Sequence, residues 1–224
     1  MNMEGKAKAR AETRKLVKES IGRGDEYKWN QELYSRAGRR AESIPWADMV
    51  PNPNLVSWLE KKGTRGDGKR ALVIGCGLGD DAEELQRRGF CVTAFDVAKT
   101  AIEWCEERFR GSQVKYAAAD LFSPPRDWIR GFDFVLESYT LQTFPASLRP
   151  RAMRAMAELV APKGVLLVIA RGRNEGEPEG EFPWPLVRSE LGVFVECGLG
   201  ETSFEDFTDN ENPPIRRFRV EYIR

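Results

Sequence analysis

From Ala71 to Ala170 the chain alternates short apolar runs with amphipathic segments, and this alternation restricts the fold more than any other feature of the sequence. Ala71 to Ile74 is an apolar run cut off by glycine, Phe90 to Phe95 a second, Val114 to Ala118 a third, Phe132 to Leu136 a fourth and Gly164 to Ala170 a fifth, the last bounded by Pro162 and Gly172. Each run has the length and composition of a buried strand. Helical spacing is predicted for Asp80 to Arg88 with Ala82 and Leu85 inward, for Ala98 to Phe109 with Ala101, Ile102 and Cys105 on one face, and for Leu148 to Leu159. Strands joined through helices pair in parallel by right-handed crossovers and need cover on both faces. The expectation is an α/β, doubly wound, mostly parallel sheet whose ligands sit at the carboxyl ends of its strands. The tail breaks the rhythm: Thr202 to Thr208 and Ile215 to Ile223 read as strands joined by a DNENPP turn, predicting an antiparallel hairpin at the sheet edge and seven strands in all.

The 224 residues suit one domain with an extension. We divide the chain into an N-terminal helical lid or extension, residues 1–62, and a main domain, residues 63–224, entered through the turn-forming GTRGDGK. Residues 1–25 read as a polar helix ending near Gly22 and Gly24. Tyr27, Trp29, Tyr34, Trp46 and Trp58 crowd into the stretch before any strand, and rings in that position either plug the end of a core or face a ligand. Pro51 and Pro53 prepare a short helix through Leu55, Trp58 and Leu59. A second connector, RGRNEGEPEGEFPWPL at residues 171–186, reads either as a substrate loop or as a solvated link to a helix begun at Pro185.

Charge and composition narrow the partners. Lys plus Arg equals Asp plus Glu at 35 each, with no basic stripe, so a polyanion is disfavoured and no nucleic-acid partner is expected. No segment approaches about twenty uninterrupted apolar residues, so no membrane partner is expected either. Four scattered cysteines without a C-x-x-C pair fit neither a disulfide framework nor a zinc site, which predicts a reduced, cytoplasmic protein without a metal. Histidine is absent, so any acid–base chemistry runs on carboxylates or tyrosines.

The first strand ends in Gly75-Cys76-Gly77-Leu78-Gly79, a glycine corner that lets backbone approach a ligand. A dinucleotide fingerprint would place glycine at position 80, but Asp80, Asp81, Glu83 and Glu84 stand there, and acids at a helix start repel a pyrophosphate. A cationic nucleoside tolerates them. Asp96, about twenty residues beyond the first glycine, is placed to accept ribose hydroxyls, although the same residue serves as a helix cap. Asp120-Leu121, at the third strand end, offers an acceptor for an adenine amino group and an apolar cover for the ring.

On these motifs the chain resembles the class I S-adenosylmethionine-dependent methyltransferases: VIGCGLGDD resembles their first motif, TAFDV their ribose-binding acid, AADLF their adenine corner and FDFVLESYTLQ their fourth-strand motif. The resemblance implies a Rossmann-like fold and S-adenosylmethionine as cofactor. It further implies that Gly75, Cys76, Gly77, Leu78 and Gly79 contact the methionine part, Asp96 the ribose, Val97 and Leu121 the adenine ring and Asp120 its amino group. Glu137, or its backbone, would lie near the methionine ammonium. The front segment, WNQELY at 29–34 and GRRAESIPW at 38–46, is similar in layout to the thiopurine, thiol and halide methyltransferase group, which makes Trp29 and Trp46 candidate lid residues. WNQ and LESYTLQ depart from that group's pattern, so the layout is carried over and the substrate is not.

The acceptor is open at this stage. Displacement at a sulfonium needs alignment and exclusion of water, and a soft anion such as a thiolate needs no strong base. The expected activity is methyl transfer to a small molecule, with a thiol or other soft nucleophile as the leading candidate. One alternative is O- or N-methylation with Glu137 or Tyr139 as base; another is a cofactor-binding protein without turnover.

Overall fold

The computed structural model describes residues 3–224. The polar helix predicted for the start is present as α1 (Met3–Gly22), and its first two residues lie outside the described region. Two further helices follow, α2 (Trp29–Ala37) and α3 (Pro53–Lys62). Pro53 opens α3, and the Asn52 side chain accepts the Asn54 N–H at 2.9 Å as its cap.

The main body then runs β1 (Arg70–Ile74), α4 (Asp80–Arg87), β2 (Cys91–Asp96), α5 (Lys99–Arg108), β3 (Lys115–Ala118), β4 (Phe132–Ser138), α6 (Arg149–Leu159), β5 (Val160–Arg171), α7 (Gly192–Glu196), β6 (Gly200–Thr208) and β7 (Arg216–Ile223). The strands form one seven-stranded sheet in the order β3-β2-β1-β4-β5-β7-β6. All pairs from β3 to β5 are parallel, while β7 runs antiparallel to β5 and β6 antiparallel to β7. This is the expected doubly wound sheet with its edge hairpin.

Strand alternation divides the core. Leu72, Ile74, Val135, Leu166 and Val168 point to the face covered by α6 and α7, where Met153, Met156 and Phe194 meet them. Ala71, Val73, Phe134, Leu136, Leu167 and Ile169 point to the opposite face, covered by Leu55 and Leu59 of α3, Leu85 of α4 and Ile102 and Cys105 of α5. A third cluster joins α1 and α2 to α5: Leu16, Val17, Trp29 and Tyr34 pack with Ala101 and Trp104. Helix α5 is therefore buried on two sides, and Ala101 faces the N-terminal helices rather than sharing the sheet-facing side with Ile102 and Cys105.

Two local expectations need correction. Strand β5 begins at Val160, not Gly164, because Phe132 pairs with Val160 and Phe134 with Val165; Pro162 and Lys163, the latter at φ 64°, sit in a bulge rather than outside the strand. No helix begins at Pro185. The Leu186 N–H donates to Arg171 O at 2.9 Å and Leu186 bridges Gly172, so the chain stays extended there, and a 3-10 turn at Arg188–Leu191 precedes the short α7. Among the described residues no helix is long and apolar enough to cross a membrane.

Candidate active site

The strand order reverses between β1 and β4, and the crevice that this leaves at their carboxyl ends opens into a cavity of about 780 Å³. Its floor is the corner Gly75 to Gly79 together with Asp96, Val97 and Leu121; Ser138, Tyr139 and Thr140 form the wall after β4. Its roof comes from the front of the chain, with Arg10 and Thr13 of α1, then Tyr27, Tyr34 and Trp46.

The corner is held by this chain's own contacts. Gly77 has φ +55°, and a Cβ there would stand 3.2 Å from the Tyr34 hydroxyl, so the roof rests on bare backbone. Gly75 has φ +60°, and its Cβ would meet Thr140 Oγ1 at 2.5 Å. The Gly77 N–H donates to Asp96 Oδ2 at 3.0 Å and the Ala98 N–H to Asp96 Oδ1 at 2.9 Å. Asp96 therefore closes the turn ahead of α5 and forms a wall of the cavity; the cap reading is corrected, because the N-cap of α5 is Ala98 and no side chain caps that helix. Burial raises its carboxyl to about 6, against the opposing effect of these backbone donors.

The four acids at the start of α4 are not four free charges, which corrects the repulsion argument drawn from them. Asp80 receives both terminal nitrogens of Arg108 at 2.8 Å, Glu84 is bound by Arg87 and Arg88, and Glu83 accepts the Tyr116 hydroxyl at 2.7 Å. Only Asp81 faces the cavity without a cation; it accepts the Asn52 N–H at 2.6 Å, and burial raises it to about 6.

The structure separates the remaining candidates. Trp46 lines the cavity and donates its ring N–H to the Tyr34 hydroxyl at 3.0 Å, whereas Trp29 is buried behind it, edge-on to both Trp46 and Phe182. Asp120 does not reach the cavity: its carboxylate accepts the Tyr27 hydroxyl at 2.8 Å and the Phe122 N–H at 2.9 Å, and it is Tyr27 that lines the space. Burial and then that bond push the Tyr27 phenol up to about 12. Glu137 is wholly enclosed. Its Oε1 accepts the N–H groups of Thr140 and Leu141 at 2.6 and 2.8 Å, its Oε2 has no partner, and burial raises it to about 7. Tyr139 lines the cavity at φ 65°, a left-handed conformation rare for an aromatic residue, with its hydroxyl accepting from Asn54 Nδ2 at 2.9 Å and its ring under the Arg217 guanidinium.

Residues 71–164 match a family model described as a methyltransferase domain. The chain is 26% identical over 199 residues to a probable thiol methyltransferase 2 of Arabidopsis thaliana, a match covering 86% of this chain and 80% of that protein. Residues 71–164 are thus a methyltransferase domain, and over most of its length the chain is similar to S-adenosylmethionine-dependent methyltransferases. It is also 31% identical over 140 residues to a ubiquinone biosynthesis O-methyltransferase of Pseudomonas aeruginosa, across 61% of this chain and 57% of that enzyme, so it spans little more than half the length of that relative. In fold it is similar to the N-methyltransferase NodS from Bradyrhizobium japonicum, solved with S-adenosyl-L-homocysteine, at a TM-score of 0.66 and 19% identity over 85% of this chain and 97% of that one.

In this methyltransferase the end of the cavity beneath β5 and β7 is basic, a feature the sequence reading missed. Arg171 stands at the carboxyl end of β5 and Arg217 beside it on β7. Arg217 is buried and bound to Asp209 at 2.6 Å and to Glu211, which Arg10 of α1 also approaches at 3.7 Å. The strand-end rule that singled out Asp96 and Asp120 applies equally to Arg171. Tyr27 and Tyr34 stand out in the sequence only as part of the aromatic crowd before the first strand, and Asp81 only as one of four acids; which of them line the cavity depends on contacts with Asp120, Trp46 and Asn52.

Proposed function

We propose that the enzyme transfers the methyl group of S-adenosylmethionine to a small acceptor that ionises readily, a thiol or a related soft nucleophile. The observation that carries this reading is that neither expected base is set up as one. Glu137 spends one carboxylate oxygen on two backbone donors and has no exposed surface, and the Tyr139 phenol is raised by burial, so it stays protonated near neutral pH. An acceptor that arrives as an anion needs neither. The similarity to a probable thiol methyltransferase, which covers 86% of this chain, supports the same reading.

The cavity fits the cofactor on two observations: a buried carboxylate at the wall, Asp96, and a glycine corner whose backbone lies bare beneath the roof. When bound, S-adenosylmethionine supplies an electrophilic methyl on a sulfonium. Asp96 accepts the ribose hydroxyls, Val97 and Leu121 flank the adenine, and the backbone from Gly75 to Gly79 carries the methionine part. Asp120 acts through Tyr27, holding that ring against the nucleoside side. Residues 1–62 form the lid over the domain of residues 63–224, with Trp46 and Tyr34 closing on the corner and Trp29 bracing Trp46. The cavity is large enough for a nucleoside cofactor and a small acceptor together.

An O- or N-acceptor is the second reading, and Asp81 is what favours it: a cavity carboxylate raised to about 6 is placed for proton abstraction. Calorimetric titration with S-adenosylmethionine, S-adenosylhomocysteine and NAD, followed by turnover on thiols, phenols, amines and halides, tests both readings. Methylation of thiols by an Asp81→Asn variant at a rate near wild type supports the first; exclusive turnover of phenols or amines, lost in that variant, supports the second. Cofactor binding without turnover of any acceptor would leave a binding protein instead of an enzyme.

A further inference from the structure

The basic end of the cavity holds one guanidinium with a buried donor that nothing in the chain satisfies. The Arg171 Nε is buried without a hydrogen-bond partner, and among the described residues no carboxylate lies within ion-pair distance of its guanidinium. The nearby acids are already taken: Asp209 and Glu211 bind Arg217, Glu211 also faces Arg10, and Asp48 binds Lys6 at 2.5 Å. The backbone of Arg171 is fixed, its N–H donating to Gln142 Oε1 at 2.8 Å and its carbonyl accepting from Leu186. Burial, reinforced by Arg217 and offset in part by Glu211, lowers the guanidinium to about 10, so it remains charged at neutral pH. Where a charged group with an unmet donor faces a cavity, a ligand of opposite charge supplies the missing partner.

We propose that the acceptor carries an anionic group, carboxylate-like in size and geometry, that docks on Arg171. This rests on the reading of the chain as a small-molecule methyltransferase and assigns its substrate class. The sheet supports the placement. Gly75 follows β1, Arg171 ends β5, and β4 lies between them, so the Arg171 backbone stands two strand spacings, about 10 Å, across the sheet from the corner and two residues further along it. That separation suits an acceptor whose nucleophile faces the donor while its anionic group lies further along the cavity. The planar guanidinium offers paired N–H donors to a carboxylate, which also orients the nucleophile.

The same chemistry has a second source, the carboxylate of the cofactor's own methionine, and the experiment separates the two. Benzoate is titrated into wild-type, Arg171→Gln and Arg171→Lys protein saturated with S-adenosylhomocysteine; S-adenosylhomocysteine and methylthioadenosine, which lacks the amino-acid part, are titrated into each protein alone. Turnover of thiosalicylate is compared with that of thiophenol. The expected result is benzoate binding weakened about 10- to 100-fold in Arg171→Gln and less in Arg171→Lys, the usual range for hydrogen bonds to a charged group. In wild type the carboxylated thiol is preferred by a similar factor in kcat/KM, and the preference collapses in Arg171→Gln chiefly through KM. Three results would overturn the proposal: no benzoate binding by the loaded wild type, equal binding by Arg171→Gln, or weakened S-adenosylhomocysteine with unaltered methylthioadenosine binding, which would assign Arg171 to the cofactor. If benzoate and S-adenosylhomocysteine bind as expected but neither thiol is methylated, the thiol reading fails and the anion subsite stands.

Discussion

The carboxylate of Asp96 accepts the Gly77 N–H at 3.0 Å, so the end of β2 clamps the glycine corner that follows β1. The same group closes the turn ahead of α5 through Ala98. The donors that hold the carboxylate, the Gly77 and Ala98 N–H groups, fix it in the cavity wall without making it the N-cap of α5, which is Ala98.

Replacing this acid by its amide isolates the charge. Asp96→Asn is expected to weaken S-adenosylhomocysteine binding by about 1.5–3 kcal/mol, the range for hydrogen bonds to a charged group. Calorimetry on a variant with a preserved melting transition is the measurement, and an unaltered dissociation constant would refute the ribose role.

Burial also sets a pH dependence. Asp81 and Asp96 are raised from 3.8 to about 6, and Glu137 from 4.5 to about 7. Each holds its proton more tightly in the folded chain, so the stability it contributes is complete below its unfolded value and lost as pH rises through its folded one. Asp120, Asp209, Glu205 and Glu221, lowered in the folded protein, act oppositely and lose their contribution in acid. The cofactor-free protein should melt highest near pH ~5 and less well toward pH ~8, with the slope reduced in Glu137→Gln. Cofactor affinity should run the other way and fall below pH ~6, as Asp96 takes up the proton that prevents it from accepting both ribose hydroxyls. Scanning calorimetry and titration across that range check the two signs.

The fold was legible because strand ends, helix faces and turn glycines are written within a few neighbouring residues. What escaped depends on partners far along the chain. Pro162 and Gly164 look like a strand boundary until the pairing of Phe132 with Val160 turns them into a bulge. The acids of α4 look like an unbroken negative surface until Arg108, 28 residues on, neutralises Asp80. Glu137 was readable as a strand-end acid, but not that its carboxylate folds back onto Thr140 and Leu141. Arg171 was readable as a strand-end residue, but its lack of an ion-pair partner emerges only once Arg217 and Arg10 have taken the neighbouring acids.

A methyl group at position 77 tests whether roof and floor form one unit. Gly77→Ala forces a left-handed alanine, costing about 1–2 kcal/mol, and sets its Cβ against the Tyr34 hydroxyl. Loss of stability in denaturant titration should come with weaker cofactor binding, and adding Tyr34→Phe should restore part of both. If the second substitution restores nothing, the clash is elsewhere.

Removing the Tyr139 hydroxyl separates positioning from proton transfer. With a thiol acceptor, Tyr139→Phe should lose less than about tenfold in kcat, whereas loss of a general base costs about 10²- to 10⁴-fold. A flat ratio of mutant to wild-type rates between pH ~6 and pH ~9 would agree with the phenol staying protonated throughout.

Three ion pairs tie α1 across the cavity mouth: Lys6 to Asp48, Arg10 to Glu211 and Arg14 to Glu181. Exposed pairs of this kind contribute about 0–1 kcal/mol each and weaken with salt. If the front segment gates exchange, the dissociation rate of S-adenosylhomocysteine should rise several-fold between about 0.05 and 0.5 M salt, well beyond the change in an Arg14→Gln, Lys6→Gln double variant. Stopped-flow displacement provides the rate, and insensitivity to salt would remove α1 from the gate.

Of the six tryptophans, only Trp46 borders the cavity, with its indole N–H on Tyr34 above the glycine corner. An optical reporter is thus built into the roof: a change in the emission of that one indole, isolated by comparison with a Trp46→Phe variant, would follow occupancy in real time, without a label and without a turnover assay.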